Sequence, residues 1–90
     1  MSGLAARFQG ELNTARKAQA KDRVLLLGTV LSEIKNREIE LKRDLTDEDV
    51  VEVIRKAIKR RRESVEMYTT AGRMELAAVE SAEAQALEVW

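Results

Sequence analysis

The chain is predicted to be all-α, an antiparallel bundle of three to four helices, on three observations. Ala, Leu, Glu, Lys and Arg dominate its 90 residues, and these are the strong helix formers. There is no proline and there are only four glycines, so little interrupts a helix. No run of β-branched or aromatic residues competes for strand, since the aromatics are one Phe, one Tyr and one Trp.

The first helix is expected from about Ser2 to Gln19, where Leu4, Phe8, Leu12 and Ala15 recur on one face. A break at Ala20-Lys21 follows. Asp22 then serves as N-cap of a second helix running to about Arg43, with the stripe Val24, Leu27, Leu31, Ile34 and Leu41, interrupted by Glu38. Leu45-Thr46-Asp47-Glu48-Asp49 is the sharpest boundary. Thr46 supplies a capping hydroxyl and three carboxylates fill the first turn, together roughly 1–2 kcal/mol. Asp49, at the third position, is a short version of the capping-box acid. The third helix is expected over Asp47–Thr70, with Gly72 as the left-handed residue past its end. The fourth starts near Arg73 and runs to the chain end on the face Leu76, Val79, Ala86, Leu87 and Trp90, with Glu83 on the stripe. Trp90 either plugs the end of the bundle or marks a chain that continues. Connections this short make neighbouring helices antiparallel.

Composition excludes several chemistries. Without cysteine or histidine there is no disulfide, no thiolate or imidazole metal site and no His-dependent triad. No carboxylates cluster at ligand spacing, and Asp44, Asp47 and Asp49 lack the glycine and terminal Glu of a calcium loop. No cofactor is expected. Ser64, Tyr68 and Thr69 have no base beside them, and there is no glycine-rich nucleotide loop. The first ten residues lack the apolar core of a leader, and Val24–Leu31 is too short to span a membrane, so a cytoplasmic, non-membrane protein is expected. Net charge is zero, but residues 1–21 carry +3 and residues 73–90 carry −3, a polarity suited to placing the end helices together or to self-association.

The dense charge lies in the third helix: Arg55, Lys56, Lys59, Arg60, Arg61 and Arg62 within eight positions. At about 100° per residue, Arg55, Lys59 and Arg62 share a narrow sector flanked by Lys56 and Arg60. Two readings stand. The strip meets RNA phosphates. Alternatively it is a solvated face on which Glu52, Glu63 and Glu66 pair with the cations at helical spacing. No aromatic is interleaved for base stacking. Arg61 differs, falling amid the apolar sector of Val50, Ile54, Ala57, Ile58, Val65 and Tyr68. A hairpin turning near Ala71-Gly72 puts residues whose numbers sum to about 143 at one level, so Arg61 is expected to meet Glu83 in a structural ion pair, with an anion-binding Arg as the other reading.

The segment Ile58-Lys59-Arg60-Arg61-Arg62-Glu63-Ser64, followed by Tyr68, Ala71-Gly72-Arg73 and Glu75-Leu76, resembles the YqeY-like family. So do Lys21-Asp22-Arg23, Ile34-Lys35-Asn36, Glu38-Ile39-Glu40 and Leu45-Thr46-Asp47 with Val50, in order and at the right separations. That family is related to the tail of the B subunit of the tRNA-dependent amidotransferase, which converts Glu-tRNA or Asp-tRNA to the amidated form. The resemblance implies one helical domain over residues 1–90, alone or as the N-terminal part of a longer two-domain protein reached through a Leu-Pro segment. It implies a module that binds tRNA or amidotransferase subunits, with Arg55, Lys56, Lys59, Arg60, Arg62 and Arg73 as binding residues. It supplies no catalytic residue; a carbon–nitrogen ligase activity with glutamine as amido donor is implied by kinship alone. The other class of function is a protein-interaction or oligomerisation module with no RNA role.

Overall fold

The computed structural model describes residues 2–90 and is all-α: α1 (Gly3–Lys17), α2 (Lys21–Leu41), α3 (Asp47–Thr70) and α4 (Met74–Glu88). The chain divides into two compact units, the first ending at Val53 and the second beginning at Ile54.

In the first unit α1 and α2 pack as an antiparallel hairpin. The side chain of Ser2 caps α1 by accepting from the Ala5 amide at 2.9 Å. The helix closes with a pair of bonds: the Ala20 amide donates to the Ala15 carbonyl at 3.0 Å and the Gln19 amide to the Arg16 carbonyl at 3.1 Å. This is the Schellman arrangement, and it puts Gln19 at φ 55°, a left-handed position usually held by glycine. Two expectations need correcting here. The N-cap of α2 is Ala20, which makes no side-chain cap, and Asp22 lies inside the first turn, because the Schellman turn starts α2 one residue before Asp22. Helix α2 also stops at Leu41 rather than Arg43, where Lys42 turns left-handed at φ 54°.

The buried face of α1 is Ala5, Phe8, Leu12 and Ala15; Leu4 is only half-buried. The buried face of α2 is wider than the expected stripe, since Leu26 and Val30 join Leu27, Leu31 and Ile34. Pairs at 26–27 and 30–31 give the broad apolar sector of a helix packed on one whole side. Arg23 and Glu11 bridge the hairpin at 3.3 Å on its partly exposed rim.

The start of α3 is built from carboxylates. The Asp49 amide donates to Thr46 Oγ1 at 3.2 Å, while the Thr46 amide donates to Asp49 Oδ2 at 2.9 Å, a reciprocal capping box with Asp in place of Glu. Arg43 grips the same carboxylate through both Nη atoms, at 2.7 and 3.3 Å. Asp47 does a different job: its Oδ1 accepts from the Leu4 amide at 3.0 Å, closing the start of α1 as well as opening α3.

These bonds set an acid limit. The Arg43 guanidinium and the Thr46 amide hold Asp49 well below the usual carboxylate range, and the Leu4 amide with the Ser2 hydroxyl lowers Asp47. Both groups have folded pKa values below their unfolded ones. Their contribution is therefore complete above roughly pH 4 and is lost as pH falls through the folded values. The midpoint of urea unfolding should be flat from about pH 7 to 5 and drop below pH 4, with a shallower acid limb in Asp49→Asn. An acid limb equally steep in that variant would refute the assignment.

The second unit is an antiparallel hairpin of the body of α3 with α4. Its turn repeats the Schellman pattern: the Arg73 amide donates to the Tyr68 carbonyl at 2.7 Å and the Gly72 amide to Thr69 at 3.1 Å, with Gly72 at φ 74°. Helix α4 departs from expectation. Its buried residues are Ala77, Ala84 and Leu87, whereas Leu76 and Val79 are 43% and 56% exposed. Helix α4 has apolar and polar residues intermixed around its circumference, so periodicity does not select a face. Burial selects instead the side carrying Ala77, Ala84 and Leu87. Trp90 is half-buried, just beyond the last turn.

Candidate nucleic-acid interface

Helix α3 runs 24 residues, about 36 Å, and carries every cation of the dense cluster. Arg55, Lys56 and Lys59 are exposed and lie within one turn and a half of helix. Among the described residues, no carboxylate stands within ion-pair distance of these three. Glu52, Glu63 and Glu66, which the solvated-face reading pairs with them, are all exposed, and none of the three is within ion-pair distance of them. Arg60 is exposed on the flank of the sector.

The remaining cations are placed differently. Arg62 is committed to Glu88 across the hairpin, in a pair about half-exposed on both sides. Arg73 is exposed at the turn into α4, 14 residues beyond Lys59, so the structure does not bring it to the strip. Arg61 turns inward. Its side chain is 12% exposed, its Nη1 donates to the Ala57 carbonyl at 3.0 Å, and its Nε lies 3.5 Å from Glu83 Oε1. Glu83 is 27% exposed. The Nε atom is buried and has no hydrogen bond of good geometry, so this pair is held by charge proximity rather than by a bidentate fork. Within the dense cluster of α3, and among the described residues, Arg55, Lys56 and Lys59 are left without a carboxylate partner.

One concavity escaped the sequence. A cleft of about 280 Å³ opens in the first unit, lined by Ala5, Leu31, Ile34 and Leu45 with Lys35 and Glu38 at its edge. Leu45, in the segment after α2, joins residues of α1 and α2 in its lining, and no residue spacing announces that. Among the described residues, no group of three or more acidic side chains is placed to hold a metal ion, and no helix is long and apolar enough to cross a membrane.

These features define a small all-α protein with a helix-borne basic patch. The chain belongs to the YqeY family: the model described as Yqey-like protein matches residues 5–90. It is also similar to the uncharacterized protein C22F3.15 of Schizosaccharomyces pombe, at 34% identity over 84 residues, which cover 93% of this chain and 68% of that protein.

Proposed function

We propose that this chain is a non-catalytic, cytoplasmic helical module that assists tRNA-dependent amidation by binding tRNA or the amidotransferase, and that its contact with tRNA is the patch Arg55, Lys56 and Lys59. The observation that carries the reading is that, among the described residues, these three exposed cations have no carboxylate partner, although Glu63 and Glu66 stand on the same helix. Cations held in solvent without partners are free to neutralise phosphates and release counterions. The kinship to the amidotransferase B-subunit tail supports tRNA as the source of those phosphates.

A tRNA titration at two salt concentrations tests it. Wild-type affinity should fall steeply with salt, and Arg55→Glu with Lys59→Glu should weaken binding by roughly 30-fold or more, since two attractive contacts become repulsive. An affinity indifferent to both treatments would refute the RNA role. Binding that resists the substitutions yet responds to salt would move the contact to the basic residues 1–21.

A second reading, an interaction or oligomerisation module, draws on α4. Leu76 and Val79 are exposed on α4, and Val89 just past its end, while the helix is apolar on its packed side. Sedimentation distinguishes it: a monomer that still binds tRNA counts against this reading.

A further inference from the structure

The geometry points to a short crossing contact: a phosphate backbone passes over α3 at Arg55, Lys56 and Lys59 and does not run along the helix, because Glu63 and Glu66 bar the path toward the turn. The inference rests on the tRNA reading above and deepens it by assigning the footprint.

The sequence offers a run of cations long enough to guide a polyanion along the helix axis. The structure takes up two of the three cations nearer the turn, leaving Arg60 exposed on the flank. Arg61 is turned in against Glu83, and Arg62 is tied to Glu88. Beyond Lys59 the same helix face continues with Glu63 and Glu66, at i+4 and i+7, both exposed. From Arg55 to Lys59 the helix rises only about 6 Å. A polyanion laid along α3 would leave this positive segment within a turn and meet two carboxylates. One laid across α3 meets three cations and then solvent. With no aromatic among Arg55–Lys59, nothing in the patch stacks on bases, so the contact is to the backbone and blind to sequence.

The footprint has a number attached. Three phosphate contacts correspond to a log–log salt slope of about −2.7, or roughly 40-fold weaker tRNA binding at 200 mM than at 50 mM salt. Glu63→Lys with Glu66→Lys would extend the cation row at 59, 63 and 66. It should tighten binding at low salt and raise that ratio toward roughly 500-fold, the value for five contacts. Glu63→Gln with Glu66→Gln removes the repulsion and adds no contact, so the ratio should stay near the wild-type value. All four substitutions are on exposed positions and should leave the fold intact.

The outcomes separate cleanly. A wild-type ratio already near 500-fold would overturn the crossing geometry. So would a Lys pair that leaves the ratio unchanged, or a Gln pair that raises it as far as the Lys pair does. In each of those cases tRNA binding sensitive to Arg55→Glu with Lys59→Glu would keep the functional reading standing. Wild-type protein that binds no tRNA would overturn both.

Discussion

Glu83→Ala should lower folding stability by about 2–3 kcal/mol, because it strands a guanidinium that has little access to water. The Arg61 side chain is 12% exposed, and after the change its remaining partner is the Ala57 carbonyl. The cost stays below that of a fully buried pair because Glu83 is 27% exposed and the 3.5 Å contact is not a well-aligned hydrogen bond. Replacing both residues, Arg61→Met with Glu83→Leu, should return stability to within about 1 kcal/mol of wild type, since the desolvation cost leaves with the charges. The neighbouring pair supplies a control. Arg62 and Glu88 are about half-exposed, so Glu88→Ala should cost less than about 1 kcal/mol. Urea unfolding of the four proteins is sufficient to measure this. Equal losses in Glu83→Ala and Glu88→Ala would show that Arg61 is solvated.

Phe8→Ala should cost still more, about 3–5 kcal/mol. Phe8 has no exposed surface and lies on the α1 face that packs against α2, where Leu12, Leu27 and Val30 are also nearly inaccessible. It is the one phenylalanine of the chain. A protein of this size has a small total stability, and the change consumes a large part of it. The thermal midpoint should fall by well over 10 °C, at about 4–8 °C per kcal/mol. Phe8→Leu keeps most of the volume and should cost much less. Similar losses in the two variants would mean that the ring is not the filler of this core.

The helices were legible where a backbone need has a side-chain signature. Thr46 and Asp49 announce a helix start, and α3 begins at Asp47. Gly72 announces a left-handed stop, and α3 ends at Thr70 before it. The end of α1 uses the same closing bonds with Gln19 at the left-handed position. Without a glycine to mark it, the sequence shows only a break near Ala20, and Asp22 carries the side chain of a cap without standing at the cap position. Face assignment worked for α1, whose large residues lie on one side. It failed for α4, where apolar residues lie on both sides and Ala77 and Ala84, not Leu76 and Val79, are covered. For the basic patch, spacing located the cations but could not say which of them another helix would claim. That depends on where Glu83 and Glu88 stand in α4, a long-range fact absent from local spacing.

The Asp47 carboxylate ties together two helix beginnings that are 43 residues apart in the chain. The amides of a first turn have no acceptor within their own helix. Ala5 finds one locally, in Ser2 Oγ, while Leu4 must wait for Asp47. Neighbouring amides therefore report on separate events. Protection of Ala5 from hydrogen exchange should rise as α1 itself forms, and protection of Leu4 only after the long loop through α2 has closed. In pulse-labelled refolding these adjacent positions would act as two clocks, one set by local helix growth and the other by the arrival of the start of α3.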